Sequence, residues 1–153
     1  KSAACEIIGP DRNGIPGLDR IVADGEIIEL PGTRIQVIAT PGHTATSVCY
    51  YVLPAEEHSG ILFTGDTLFI AGCGRLLECD ARTMWASLQK IAALPGDTLI
   101  YPGHDYTEEN YQFALTIEPD NKAVRKLLEQ RDFAPPSSIA REKQTNVYCR
   151  KNR

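Results

Sequence analysis

Three histidines occur in the 153 residues, and two of them stand in matching surroundings. His43 lies in Thr40-Pro41-Gly42-His43-Thr44, and His104 lies in Tyr101-Pro102-Gly103-His104-Asp105. Each follows a short apolar run, so each imidazole is expected to leave the end of a strand through a Pro-Gly turn. Between them, Phe63-Thr64-Gly65-Asp66-Thr67 puts a carboxylate in the same kind of place. Ligands of α/β proteins gather at the C-terminal rim of the sheet. Imidazole nitrogen and carboxylate oxygen there form a metal-ligand set, so His43, Asp66 and His104 are the candidate ligands. Taken singly, each has a plainer reading: a strand-end histidine is commonly a hydrogen-bonded loop residue, and Gly-Asp-Thr is good turn chemistry. The repeated context favours the ligand reading. His58, in Glu56-Glu57-His58-Ser59-Gly60, has no such setting and reads as a solvated loop residue.

The elements that must position these residues are legible as short periodic segments. Gly25–Leu30 leads into a Pro31-Gly32 turn, and Arg34-Ile35-Gln36-Val37-Ile38 alternates as a half-buried strand does. Val48–Leu53 and Gly60–Thr64 are more continuously apolar and read as buried central strands. Asp80 is a candidate N-cap for a helix carrying Met84, Trp85, Leu88, Ile91 and Ala92, stopped by Leu94-Pro95-Gly96. Thr98–Tyr101 is a further strand. From Thr107 a helix carries Tyr111, Ala114 and Leu115, and a second opens at Asp120 or Asn121 and carries Val124, Leu127 and Leu128. Pro135-Pro136 then breaks the chain before a short polar tail, and the turn-rich first twenty residues read as irregular surface. Strands and helices alternate to about residue 106, with helices after it. Two parts are therefore expected, residues 1–106 and 107–153.

Bulk composition narrows the partners. At 42% hydrophobic and 24% charged, with a formal net charge of −4, the chain has the balance of a globular protein without a basic surface for nucleic acid. No apolar run spans a membrane, and no secretory signal is visible. Five cysteines with no Cys-x-x-Cys spacing argue against a disulfide framework or a thiolate zinc site and suit a cytoplasmic protein with reduced thiols.

Several runs in order resemble one family. Ala39–Thr44, Leu62–Phe69, Ala71-Gly72-Cys73-Gly74-Arg75, Gly103–Asn110 with Phe113-Ala114 and Glu118–Asn121, and the ending Thr145–Arg150 look like consecutive motifs of glyoxalase II (hydroxyacylglutathione hydrolase). The likeness runs from about residue 20 to the end. It implies the C-terminal half of a metallo-β-lactamase-like αββα sandwich, followed by a small helical substrate-binding segment. By that resemblance His43 binds one divalent metal, His104 a second, and Asp66 bridges both as a catalytic residue. The metals implied are zinc, with iron or manganese as alternatives. The reaction implied is hydrolysis of S-lactoylglutathione to glutathione and D-lactate, with Arg75, Tyr106 and Arg150 contacting the glutathione moiety.

Departures accompany the resemblance. The family's His-x-His-x-Asp-His motif does not occur in these residues, which hold no histidine before His43. The expectation is therefore an incomplete site, little activity for the chain alone, and self-association or pairing with a missing segment. Ala45-Thr46-Ser47 stands where the family continues with x-Gly-His, and Leu76-Leu77 where some relatives have a tyrosine. Two rivals are a persulfide dioxygenase of the same fold, using a single iron, and a non-catalytic half-domain.

Overall fold

Runs of Ile, Val and Tyr separated by Gly and Pro form the centre of the molecule. In the computed structural model, which describes residues 5–131 and 133–150, the elements begin with β1 (Ile8–Gly9), β2 (Arg20–Ile21), β3 (Ile27–Leu30), β4 (Thr33–Ala39) and β5 (Val48–Val52). There follow β6 (Ile61–Gly65), β7 (Leu68–Phe69), β8 (Gly72–Cys73), α1 (Ala81–Ala92) and β9 (Leu99–Pro102). The chain continues with α2 (Thr107–Ile117), α3 (Lys122–Gln130), β10 (Ser137–Ser138) and α4 (Ile139–Thr145). One sheet runs in the order β10-β9-β6-β5-β4-β3. Its neighbours are antiparallel except β6 and β9, which are parallel. A parallel pair needs a long crossover, and the β7–β8 hairpin with α1 provides it.

Direction along the sheet explains where the chemistry lies. The steps from β4 to β5 and from β5 to β6 are both antiparallel, so β4 and β6 point the same way, and β9 with them. Their C-terminal ends share one rim of the sheet. Those are the ends after which His43, Asp66 and His104 follow.

One face of the sheet is covered by α1. Met84, Leu88 and Ile91 recur at i, i+4 and i+7 and bury against Cys49, Tyr51, Leu62 and Ile100. Asp80 caps this helix, its Oδ1 accepting from the Thr83 backbone N–H at 2.8 Å and from the Thr83 hydroxyl at 2.7 Å. The Thr83 hydroxyl and N–H hold the Asp80 carboxyl below the usual carboxylate range. A depressed value means that the cap stabilises above the ordinary carboxylate range and is lost as pH falls through it. Asp80→Ala should lower the melting temperature at neutral pH by about 2 to 4 °C, with the two proteins converging in acid. An unchanged melting temperature at neutral pH would show that the cap contributes nothing.

The other face differs from expectation. β5 and β6 alternate instead of being buried on both sides, because a strand is apolar throughout only where both faces are covered. Tyr50 packs with Val22, Ile28 and Val37 in a second cluster, but Phe63 is 48% exposed, its ring 5.8 Å from that of Tyr101. The turn-rich start is irregular except for the two-residue parallel pairing of β1 with β2.

The largest difference lies after Pro136. The expected polar tail adds β10 to β9, and Ser138 caps α4 by accepting from the Arg141 N–H at 3.2 Å. Ile139, Glu142 and Asn146, at i, i+3 and i+7, are all buried. The segment is polar but amphipathic, with two of its polar groups turned inward. Asn121, one of the two candidate caps, opens α3 by accepting from the N–H groups of Ala123 and Val124. Tyr111 and Ala114 of α2 and Val124 of α3 close a third cluster over Ile70 and Ala71 at the hairpin tip. Among the described residues, no helix is long and apolar enough to cross a membrane.

Candidate metal centre

The three candidates from the strand ends meet. His43 Nε2 lies 3.5 Å from Asp66 Oδ2, and His104 Nε2 lies 3.4 Å from Asp66 Oδ1. One carboxylate thus shows a different oxygen to each of two imidazoles. His43 Nδ1 is 2.8 Å from the Arg75 carbonyl oxygen, which can only accept, so Nδ1 donates. A neutral His43 ring then carries its lone pair on Nε2, aimed at a carboxylate oxygen. Two lone pairs facing across that gap repel unless a proton or a cation lies between them. A backbone carbonyl fixing the tautomer from behind is the usual support of a metal-binding imidazole.

Among the described residues, no three His, Cys, Asp or Glu side chains converge as a complete metal cluster. The arrangement is two half-sites, one histidine on each side of a shared carboxylate. The donor types fit a divalent cation on each side, with two protein donors apiece.

Close backbone packing sets this geometry. Gly65 turns β6 outward at φ +49, and Gly103 lies so near Asp66 that a Cβ there would sit 2.8 Å from Oδ1. Gly74 donates its N–H to the Thr67 carbonyl at 3.2 Å, and a Cβ at 74 would land on the Asp66 carbonyl oxygen. Beneath them Thr40 and Thr67 share a buried hydroxyl–hydroxyl hydrogen bond of 3.0 Å. On the outer side Phe69 meets His104 edge-on at 6.1 Å and Tyr106 at 5.3 Å, and Tyr106 lies against His104 at 5.5 Å. Tyr106 therefore joins the triad.

Arg75 is tied to the triad through its backbone carbonyl. Its side chain borders a cavity of about 350 Å³ lined by Cys73, Met84, Trp85, Leu88 and Tyr148. Arg150 is placed elsewhere: Nη1 pairs with Glu118 Oε2 at 2.7 Å and Nη2 donates to the Gln144 carbonyl. His58 is exposed in its loop, its Nδ1 against the Ser59 carbonyl. All five cysteines are free thiols, and burial pushes the Cys73 thiol up to about 11.

Residue typing missed several contributors. The Arg75 carbonyl has no sequence signature, because every residue carries a carbonyl. Phe69 and Asn110, the latter donating to the Ile70 carbonyl at 2.9 Å, stand in runs that carry the resemblance but were given no role of their own. Glu142 and Asn146 were hidden in a segment read as a tail, although their spacing from Ile139 was a usable signal.

Known proteins resemble the chain along nearly its whole length. The model of the metallo-beta-lactamase superfamily matches residues 10–104, and that of the hydroxyacylglutathione hydrolase C-terminus matches residues 105–153. The chain is 50% identical over 153 residues to the hydroxyacylglutathione hydrolase of Brucella anthropi, covering 94% of this chain and 57% of that relative. Among solved structures, ETHE1 from Myxococcus xanthus superposes with a TM-score of 0.64 at 29% identity, covering 92% of this chain and 49% of that one. TTHA1623, solved in a di-iron-bound form, superposes with a TM-score of 0.54 at 26% identity over 84% of this chain and 48% of that one. The chain thus spans little more than half the length of the curated relative. It belongs to the metallo-beta-lactamase superfamily, whose members bind divalent metals, and over residues 105–153 it is similar to the hydroxyacylglutathione hydrolase C-terminus.

Proposed function

We propose that this chain supplies one side of a binuclear metal site that hydrolyses S-2-hydroxyacylglutathione thioesters. The observation that carries the reading is the single Asp66 carboxylate showing its two oxygens to His43 and His104. His43 and Asp66 would hold one metal, and His104 and Asp66 the other. The chain is similar to a hydroxyacylglutathione hydrolase and to a protein solved with two irons, which supports both the substrate class and the count. Zinc is the first expectation, with iron or manganese as alternatives. When bound, such metals supply an acidified water and a Lewis-acid contact for a carbonyl oxygen.

The rest falls to this chain's own groups. The Arg75 carbonyl keeps the His43 lone pair on Nε2, and the Phe69–Tyr106 pair fixes the His104 ring. The Arg75 guanidinium offers a two-pronged donor for a peptide carboxylate, and exposed Tyr106 offers a hydroxyl and a ring face. Residues 107–153 act as the substrate-binding segment. Arg150 can reach a substrate only by releasing Glu118. On hydrolysis the thioester carbon gains a water oxygen, the carbon–sulfur bond breaks, and sulfur leaves as a thiolate that needs little protonation to depart. Free thiols and a glutathione substrate support a cytoplasmic setting for this work.

Turnover is the test. The 153-residue chain alone should bind metal weakly and turn over little S-lactoylglutathione, since each metal keeps two protein donors. Fused behind the upstream segment of the Brucella anthropi relative, it should hydrolyse that thioester, lose activity to a chelator and regain it with Zn²⁺, Fe²⁺ or Mn²⁺. A fused protein that folds, holds metal and leaves the thioester intact would overturn the reading. Oxygen uptake with a single iron would point to the dioxygenase rival instead.

A further inference from the structure

The β7–β8 hairpin brackets the site: Asp66 stands two residues before β7, and Arg75, whose carbonyl holds His43, stands two residues after β8. Its tip is irregular. Ala71 adopts φ +57, a left-handed conformation that costs a non-glycine residue about 1 kcal/mol, so the surroundings must impose it. They do so from the far end of the chain. The Ala71 N–H donates to Glu142 Oε2 at 2.8 Å, and Asn146 Nδ2 donates to the Gly72 carbonyl at 3.0 Å and the Phe69 carbonyl at 3.4 Å. Asn146 Nδ2 is also 3.0 Å from Glu142 Oε2, and the Ser137 hydroxyl donates to Glu142 Oε1 at 2.5 Å.

Glu142 is 1% exposed and Asn146 is fully buried, although both are polar. Burial pushes the Glu142 carboxyl up, while the donors from Ser137, Asn146 and Ala71 pull the other way. A buried acid surrounded by donors costs more than an apolar residue of the same size unless the contacts specify something. What these contacts specify is the hairpin tip, because each partner is either the tip itself or a brace for the carboxyl. We propose that Glu142 and Asn146 are positioning residues that hold the hairpin, and through it the Arg75 carbonyl, so that the His43 tautomer and the Asp66 carboxylate stay set for their ligands. The proposal rests on the metal-site reading for its purpose, but not for its test.

The test uses the chain without metal or substrate. Isotope-labelled Glu142→Ala and Asn146→Ala should each change the His43 ring-nitrogen signals, with Nδ1 losing its proton-donor signature. The amides of Ala71 and Gly74 should exchange about tenfold faster or more, with those of β4 and β5 unchanged. Glu142→Gln should restore the wild-type signals, since its amide oxygen can accept from Ala71 and Asn146 while its nitrogen donates to Ser137 Oγ. Ile139→Ala, on the same helix but in the core against α1, controls for a merely structural role. It should lower the melting temperature and leave the His43 signals alone. Should Glu142→Ala not fold, Asn146→Ala carries the same comparison. Three results would each overturn the proposal: unchanged His43 signals in both variants, a Glu142→Gln as damaging as Glu142→Ala, or the same spectral change from Ile139→Ala. None depends on thioester turnover, so failure of the hydrolase reading is a separate outcome.

Discussion

In the fused protein with its upstream ligands supplied, Asp66→Ala should empty both metal positions and reduce kcat/KM about a thousandfold, a loss of about 4 kcal/mol in transition-state stabilisation. The reason is the shared carboxylate: Oδ2 faces His43 and Oδ1 faces His104, so one substitution removes a donor from each side. His43→Ala and His104→Ala should each weaken one metal preferentially and leave about one metal per chain. Folding should be spared, because the Asp66 side chain is a third exposed and its oxygens face the two imidazoles. Metal stoichiometry by mass spectrometry, with a circular dichroism spectrum as the folding control, checks this. His58→Ala should change neither quantity. A metal content unchanged by Asp66→Ala, or halved by His58→Ala, would mean that the site has been placed wrongly.

The triad was legible in the sequence because its context repeats: an apolar strand, then a glycine turn, then a donor. That pattern reports strand direction, and β4, β6 and β9 do run the same way. Strands β3, β4, β5, β6 and β9 and the first three helices were legible for a similar reason, since each carries its own periodicity and its own stop, whereas the two-residue strands β1, β2, β7, β8 and β10 are too short to carry a period. Burial on the second face was not, because Val48–Val52 and Ile61–Gly65 are apolar on both sides of the pleat whether or not anything covers them. Phe63 shows the difference, being apolar by type and half exposed in place.

What lay beyond reading was the action of one segment on another. The His43 tautomer depends on a backbone carbonyl 32 positions away, and the hairpin tip depends on a carboxylate 71 positions away. Neither contact alters a local pattern. Glu142 was also misjudged by type, since glutamate is seldom buried unless its oxygens are matched by donors, and the donors here come from β10, α4 and the hairpin. Polar composition therefore marked as a loose tail the segment that ties the sheet, α1 and the hairpin together.

Gly74→Ala should be the most damaging single methyl group in the molecule. A Cβ at 74 would land on the Asp66 carbonyl oxygen and within 3.2 Å of His43 Cβ, so it meets a backbone atom that cannot swing aside. Relief requires the hairpin to move away from the β6 end. That movement stretches the bond from the Gly74 N–H to the Thr67 carbonyl and draws the Arg75 carbonyl off His43 Nδ1. Overpacking of this kind costs about 1 to 3 kcal/mol of stability, and the loss of metal affinity should be larger still, because both Asp66 and His43 are displaced. Gly103→Ala is the informative comparison: its Cβ would meet the Asp66 carboxylate oxygen at 2.8 Å, a side-chain atom that can rotate, and lie a tight 3.2 Å from the Gly65 carbonyl carbon and oxygen. It should cost less stability than Gly74→Ala, because its backbone contacts are tight without overlapping, yet weaken metal binding by turning the carboxylate. Gly14→Ala, where a Cβ would meet nothing within 4 Å, should be silent in both measurements. The three variants then separate by melting temperature and by zinc titration: Gly74→Ala low in both, Gly103→Ala lowered mainly in the second, Gly14→Ala in neither. A Gly74→Ala protein with native stability and native zinc affinity would show that the hairpin does not rest on Asp66, and the positioning argument would fall with it.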